Sequence, residues 1–306
     1  MAAIKYDHIL VGLDLTDLDQ SLIQYAVFFL KLFNIKKLTF LHVVQAYDLP
    51  KEQKKDYGAL DTSLREHIHK KLEQYIRNDD IQNLDINLEI KIEEQDASDV
   101  IIDYTRENNA DLVILGKKAE EERKEVYAKR VIALAESDML LVPARAIEEI
   151  HRILVAIDFS KPSVKAFRLA TNMANDRNIE VHCQYVYTYP KNYFPITPKQ
   201  NMLRFVASRG VRRAKKFFKE HKQGRPEVTF HPEPGEYNYQ GEKVFEKANE
   251  VDAQLVIVGG RGRTSDPTTL LGNIADQLRK YESGIPVLVV KNYTEKNSFW
   301  NIFFHG

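Results

Sequence analysis

Short apolar runs rich in Val, Ile and Leu recur along the whole chain, separated by longer segments in which apolar residues return every three or four positions. The runs lack the polar alternation of a strand that faces water on one side, so they indicate strands buried on both faces of a parallel sheet. The predicted strands are 9–14, 38–44, 86–92, 112–115 and 139–142, followed by 153–158, 180–187, 227–231, 255–258 and 287–290.

The longer amphipathic segments between these runs have the period of helices. They predict helices at 19–33, 60–77, 97–108 and 122–136, and again at 161–176, 199–221, 239–250 and 273–282. Strands that alternate with helices are typical of doubly wound α/β folds, in which each crossover between parallel strands is right-handed.

The pattern is repeated within the chain. Residues 8–14 (HILVGLD) match residues 152–158 (RILVAID) at an offset of 144, and 111–116 (DLVILG) match 254–259 (QLVIVG) at an offset of 143. The sequence therefore predicts two tandem α/β domains, each with a five-stranded, doubly wound parallel sheet. We expect them at 1–147 and 148–291, with an aromatic tail at 292–306.

A glycine-rich segment follows the strand at 255–258. Gly259, Gly262 and Gly272 have the spacing G-x2-G-x9-G, and the segment leads into the helix predicted at 273–282. Glycines allow backbone N–H groups to converge on an anion, and a helix N-terminus adds further donors. It is neither a Walker A loop nor a G-x-G-x-x-G motif. Two alternatives stand at this point, a phosphate-binding loop and a surface loop that binds nothing.

This spacing resembles the nucleotide loop of the universal stress protein family, whose ATP-binding members carry G-x2-G-x9-G-(Ser/Thr). Other segments also look like family signatures: the first strand of each repeat, which ends in Asp, LHVV at 41–44 and IPVLVV at 285–290. The resemblance covers about 7–143 and 151–291. It implies a Rossmann-like fold of the adenine nucleotide alpha hydrolase type. It also implies ATP, with or without Mg²⁺, in the second domain.

The resemblance also implies roles for individual residues of the second domain. Asp158 would lie against the adenosine and Val186 against the base, although a helix-start carboxylate and a core valine are the plain structural alternatives. Gly259, Gly262, Gly272 and Asn273 would form the phosphate loop, with Arg261 and Arg263 as additional contacts. Asn273 stands where the family has Ser or Thr.

The first copy departs from this pattern after Gly116. The next residues, 117–125, read KKAEEERKE and contain no glycine. Gly116 precedes Asp138 by 22 residues, whereas Gly259 precedes Pro286 by 27, so five residues are missing from the loop. We therefore expect the first domain to bind no nucleotide, although Asp14 and Val43 are retained.

Composition adds a charge asymmetry. The formal net charge is zero, but residues 1–150 hold 20 Lys and Arg against 29 Asp and Glu, and residues 151–306 hold 24 against 15. The positive half contains the glycine-rich loop, which favours an anionic ligand there.

The single cysteine, Cys183, cannot form an intramolecular disulfide, and Met1 to Asp7 has no secretory pattern. These observations predict a cytoplasmic protein without a membrane partner.

Two further patterns bear on partners. Arg209, Arg212, Arg213 and Lys216 share one helical face, which would suit nucleic acid, but no aromatic-interleaved motif accompanies them, so a solvated face and no nucleic-acid partner are expected. The aromatic residues of 299–304 predict that the tail packs either on its own chain or in a partner, and packing within an assembly is favoured. The family resemblance implies pairing of the two domains through their last strands and allows a homodimer.

Three functions remain open from the sequence. The first is a regulatory protein of the stress response that binds ATP in its second domain, and the second is a nucleotide-free interaction scaffold of the same fold. The third is a slow ATPase, which is the weakest because spacing singles out no catalytic base and no metal-binding carboxylate set.

Overall fold

The computed structural model describes residues 5–44, 62–76, 81, 86–94, 96–117, 130–144, 149–175, 177–188, 198–221, 228–234, 239–260 and 284–291. The chain forms two compact units, one comprising residues 5–146 and the other the residues from 147 onwards. Each unit is described by itself below.

The first unit is a parallel sheet with helices in its crossovers. Its elements are β1 (His8–Leu13), α1 (Leu18–Leu32), β2 (Lys37–Val44), α2 (Thr62–Ile76), β3 (Asn87–Glu94), α3 (Ala97–Glu107), β4 (Leu112–Gly116) and β5 (Asp138–Val142). The strand order is β3-β2-β1-β4-β5, and each neighbouring pair is parallel. Residues 130–134 are also helical.

The second unit repeats this arrangement. Its elements are β6 (Arg152–Ala156), α4 (Lys161–Ala174), β7 (Glu180–Tyr187), α5 (Lys199–His221), β8 (Val228–Pro234), α6 (Gln240–Glu250), β9 (Leu255–Gly259) and β10 (Val287–Val290). Here the order is β10-β9-β6-β7-β8, again with parallel neighbours. The tandem doubly wound α/β fold predicted from the sequence is confirmed.

The central strands are buried because helices cover both faces of each sheet. Val11 in β1, Ile114 in β4, Val155 in β6 and Ile257 in β9 are all completely inaccessible to solvent. Cys183 in β7 is also buried. Continuous apolar runs therefore predicted these strands well, since neither face had to be polar.

The largest difference from the predicted strands is at β8. The expected strand ended at residue 231, but β8 continues through Pro232 and Pro234. Proline lacks the N–H that a central strand donates, so it normally ends such a prediction. β8 tolerates both prolines because it is the outermost strand in the order of its unit. Residues 122–129 of the helix predicted at 122–136, and the whole helix predicted at 273–282, lie outside the described residues.

A buried polar contact fastens the start of the first sheet to its last strand. Tyr6 precedes β1 and donates its hydroxyl proton to Asp138 Oδ2 at 2.8 Å. Tyr6 is 1% exposed and Asp138 is completely buried. A carboxylate in such a position is tolerated only with donors around it.

We expect Tyr6→Phe to lower the free energy of unfolding by about 1–3 kcal/mol, because the Asp138 carboxylate loses a donor that water cannot replace. Urea denaturation of the full chain measures the change. Tyr239→Phe is the matched control, because Tyr239 is 56% exposed. An equal effect of the two substitutions would contradict this account.

Candidate functional site

The candidate site of the second domain lies where β6 and β9 end. These strands are parallel neighbours with Ala156 opposite Val258, so their carboxyl ends reach the same edge of the sheet. The chain passes from β6 to β7 and β8 on one side and then returns to β9 on the other. Ligands of doubly wound folds bind at such a reversal of strand order.

Asp158 lies in the tight turn between β6 and α4. The N–H of Ile157 still donates to the carbonyl of Gln184 at 2.8 Å, so the strand ladder ends just before Asp158. Asp158 Oδ1 accepts a hydrogen bond from the N–H of Ser160 at 3.0 Å. This local bond fixes a half-buried carboxylate at the helix N-terminus, where the positive end of the dipole favours it.

The residue after Asp158 has a backbone conformation that side chains disfavour. Phe159 has φ 63°, in the left-handed region, which costs roughly 1–2 kcal/mol for a residue with a Cβ. Its ring packs at 4.8 Å from the ring of Tyr185 and at 5.6 Å from that of Phe217, measured between centroids. We infer that these aromatic contacts hold the strained turn in place.

The helix α4 begins directly after this turn. Ser160 is its N-cap and accepts a hydrogen bond from the N–H of Ser163 at 3.3 Å, with Pro162 in the first turn. A serine at the N-cap is typical of a helix start. Proline is also typical of the first turn, because it lacks the N–H that would have no acceptor within the helix there. The sequence therefore fixes where the helix N-terminus lies relative to the end of β6.

Gly259 brings the end of β9 against this same N-terminus. A Cβ added at Gly259 would lie 2.8 Å from Pro162 Cβ and 3.2 Å from the N atom of Ser163, which real side chains do not tolerate. The glycine therefore permits a close approach of strand and helix. The N–H of Gly260 donates to the carbonyl of Val290 at 2.8 Å, so the chain leaves the sheet after that residue.

Val186 lies near the carboxyl end of the neighbouring strand, β7. The register of β6 and β7 pairs Ala156 with Gln184, so Val186 and Asp158 both follow this last pair by two residues. Val186 is 8% exposed. The structure thus brings Asp158, Val186 and Gly259 to one edge of the sheet. The other predicted site residues, Arg261, Gly262, Arg263, Gly272 and Asn273, lie outside the described residues.

The corresponding turn of the first domain is closed by a side chain of its own. Asp19, in the first turn of α1, accepts hydrogen bonds from the N–H of Asp14 at 3.1 Å and from that of Leu15 at 2.8 Å. Asp19 is 1% exposed, and Leu15 has φ 62° as Phe159 does. An internal anion therefore occupies the donors at the end of β1.

Ser163 stands at the position of Asp19 in the second domain. Its hydroxyl donates to the carbonyl of Ser160 at 3.0 Å instead of turning to the preceding strand. The turn of the second domain therefore contains no carboxylate in the place of Asp19. The signal for this difference is present in the sequence, because an offset of 144 between the repeats aligns Asp19 with Ser163.

His42 is a second feature that distinguishes the first domain. Its Nδ1 lies 2.9 Å from the carbonyl oxygen of Leu13, so Nδ1 carries the proton and donates it. Burial lowers the pKa of His42 below its ordinary value of 6.5. The equivalent residue of the second domain is Tyr185, which instead packs on Phe159. His42 is therefore a buried core histidine.

Comparison with known proteins identifies relatives over nearly the whole chain. The model of the universal stress protein family matches residues 5–143 and 149–291. Universal stress protein A from Buchnera aphidicola subsp. Baizongia pistaciae is 30% identical over an alignment of 150 residues that covers 46% of this chain and 98% of that protein. It corresponds in length to one of the two repeats.

Solved structures reproduce the tandem fold. A universal stress protein from Archaeoglobus fulgidus has a TM-score of 0.67 at 19% identity, covering 95% of this chain and 98% of its own. A functionally unknown protein from Pseudomonas aeruginosa has a TM-score of 0.66 at 14% identity, with 94% of each chain covered. At these identities the likeness shows the fold alone.

Metal sites and membrane spans are both missing from the part of the chain that the structure describes. Within it, no three His, Cys, Asp or Glu side chains are placed to hold a metal ion. None of its helices combines the length and apolarity needed to span a bilayer.

We expect Asp19→Ser, which copies the second domain, to lower the free energy of unfolding by about 1–3 kcal/mol, because two backbone N–H groups lose their acceptor. Asp17→Ser is the control, since Asp17 is exposed and makes no side-chain capping bond. Urea denaturation of the full chain measures both variants. If Asp19→Ser were as stable as the parent, the internal carboxylate would have no such role.

The buried histidine also predicts a pH dependence. Because the pKa of His42 is lowered in the folded state, the unfolded chain takes up the proton first as the pH falls. Stability should therefore be constant well above the unfolded pKa of about 6.5 and should decrease as the pH falls through that value toward the folded pKa. The contribution of one histidine to the slope is at most about 1.4 kcal/mol per pH unit.

We expect His42→Asn to reduce this slope, because the amide can still donate to the carbonyl of Leu13 but does not titrate. The measurement is the free energy of unfolding between pH 5 and 8, by urea denaturation. His67→Asn is the control, since His67 is exposed on α2. A slope that His42→Asn leaves unchanged would show that another group causes the acid sensitivity.

Proposed function

Because this chain belongs to the universal stress protein family, we propose that its second domain binds ATP and that the protein acts as a nucleotide-dependent regulator in the stress response. The observation that carries the proposal is the contrast between two equivalent turns. In the first domain Asp19 binds the backbone N–H groups after β1, and in the second domain Ser163 replaces this carboxylate. The second crevice therefore lacks the internal anion of the first.

The geometry supports a specific placement of the nucleotide. Asp158 follows β6 and Val186 lies near the end of β7, at the same edge of the sheet, which suits a ribose hydroxyl and an adenine ring respectively. Gly259 begins the glycine-rich loop directly against the N-terminus of α4. We assign the adenosine part of ATP to Asp158 and Val186.

The phosphates belong to the loop after β9 in this proposal. Gly259, Gly262 and Gly272 would allow backbone N–H groups to approach the phosphate oxygens, and Arg261 and Arg263 would add positive charge. Asn273 can donate from its amide where the family has a hydroxyl. Mg²⁺, when present, would be held mainly by the phosphates themselves.

The first domain serves as a structural partner in this proposal. Its loop after Gly116 is five residues shorter and rich in glutamate, and Asp19 adds a buried negative charge beside the turn. Two sources of negative charge would oppose a polyphosphate. We therefore propose one nucleotide for each chain, held by the domain at 148–291.

Binding rather than turnover is the proposed activity. Slow hydrolysis of ATP in a site that only positions phosphates would need no dedicated base. The occupied and empty forms would differ in their affinity for a further partner, since a ligand shifts a protein toward the state that it binds better. We place this regulator in the cytoplasm, with its two domains paired through their last strands and a homodimer as a further assembly. The aromatic tail, 292–306, lies outside the described residues.

We expect the purified full chain to retain adenine nucleotide, detected by chromatography after denaturation, and Gly262→Glu to lose it through repulsion of the phosphates. For nucleotide-free protein, ATP at a hundredfold excess over its Kd should stabilise by about 2.7 kcal/mol. Absence of nucleotide, together with no change in Tm at millimolar ATP, would leave the nucleotide-free scaffold as the function.

The two equivalent aspartates provide an internal control. Asp158→Ala should weaken ATP binding at least about tenfold, the loss expected for one charged hydrogen bond. Asp14→Ala changes the matching residue of the first domain and should leave ATP affinity unaltered. Calorimetric titration should give one site for each chain. Two sites, or equal losses in both variants, would contradict the assignment to the second domain.

A further inference from the structure

The helix α5 of the second domain has an unusual distribution of charge. Its 23 residues include eight Lys and Arg and a single Glu. The helix α2, which occupies the same place in the first domain, has three Lys and Arg and two Glu. The fold therefore does not require a strongly positive helix at this position, and neighbouring like charges on a helix are destabilising.

Four of the eight positive residues of α5 form an exposed row with one aromatic residue. Phe205, Arg209, Arg212, Lys216 and Lys219 are all exposed and follow one another at steps of four, three, four and three residues, and we call them the α5 ridge. Such steps keep side chains on one side of a helix. At 1.5 Å per residue, the four cations extend over about 15 Å.

An aromatic side chain completes the ridge. Phe205 is 57% exposed, and the guanidinium carbon of Arg209 lies 5.6 Å from its ring centroid. The absence of an aromatic neighbour was the reason for expecting only a solvated face from the sequence. The helical steps bring Phe205 into line with the cations, although it lies four residues before Arg209 in the chain.

The ridge carries little internal compensation. Within the described residues, the carboxylate paired with it is that of Glu220, 3.8 Å from Lys216 Nζ, and both side chains are largely exposed. An exposed pair of this kind is screened and contributes little. The cations of the ridge are therefore available to a partner that carries regularly spaced negative charges.

The opposite side of α5 excludes insertion into a membrane. Gly210, Ala214 and Phe217 are buried where the helix packs on β7 and β8. An interfacial membrane helix must bury its apolar face in lipid, and here the sheet already covers that face. An acidic protein surface would use the charges but would not need the exposed ring.

We propose that the α5 ridge binds single-stranded nucleic acid, with the cations contacting successive phosphates and Phe205 stacking on a base. Arginine suits phosphate because its planar fork donates two parallel hydrogen bonds. An aromatic ring beside a row of cations is the arrangement that binds single strands with little sequence preference. The ridge shares no residue with the proposed nucleotide crevice, and this proposal does not depend on nucleotide binding.

The test uses the full chain and a fluorescently labelled single-stranded RNA of mixed sequence about 20 nucleotides long, longer than typical single-strand site sizes. DNA of the same sequence, single-stranded and duplex, is compared by fluorescence anisotropy at several salt concentrations. For four phosphate contacts, the logarithm of the binding constant should fall with that of salt with a slope of about −3. The single strands should bind more tightly than the duplex.

Two variants separate charge from stacking. The first is a triple variant, Arg209→Gln with Arg212→Gln and Lys216→Gln. It loses three phosphate contacts, so its slope should be less negative than that of the parent by about 2 and its affinity at least tenfold lower. Phe205→Ala should lower affinity about tenfold without changing the slope. Lys70→Gln with Lys71→Gln, two exposed lysines of α2, is the matched control and should have no effect.

Several outcomes would overturn the proposal. They are no binding of either single strand at low salt, equal effects of the α5 and α2 variants, and an unchanged affinity of Phe205→Ala. Cosedimentation of the parent, but not of the triple variant, with phosphatidylserine vesicles in the absence of polynucleotide binding would assign the ridge to membranes instead. Gly262→Glu should bind RNA as the parent does, so loss of ATP binding leaves this test intact.

Discussion

The turn after the first strand of each domain imposes the constraint on which the candidate site depends. There a buried parallel strand ends, a helix begins within a few residues, and the end of the fourth strand packs against that helix. Backbone N–H groups in such a place need acceptors, because burial without one is costly. The two domains differ in the side chain that stands at this place in the helix.

The two domains resolve this constraint in different ways. In the first, the carboxylate of Asp19 turns back from the helix and accepts two hydrogen bonds from the turn. In the second, Ser163 bonds within its own helix, and Asp158 accepts from the N–H of Ser160. A single side chain, Asp19 or Ser163, thus accounts for the difference between two turns of the same backbone shape. Duplication preserved the fold, since the strand cores were kept, while the polar residues of the turn diverged.

The strands and helices could be predicted because their signals are local. A continuous apolar run is enough to identify a buried strand, and the run beginning at Leu255 identified β9 as directly as the run at Ile153 identified β6. The site was only partly accessible to the same reasoning. Asp158 and Gly259 could be placed from strand order, but the role of Asp19 depends on which N–H groups its side chain reaches. The left-handed conformation of Phe159 had no signal, since glycine or asparagine would be expected there.

The residues on the outer side of α5 are not determined by packing. Packing specifies only the side of α5 that faces the sheet, where Gly210 leaves room for the ring of Tyr185. The outer side is unconstrained by the core, so its charge can be set by a partner without loss of the fold. The equivalent helix α2 shows that a nearly balanced outer side is compatible with the same architecture. Because like charges on one helix repel, the eight cations of α5 are better explained by an external polyanion than by stability.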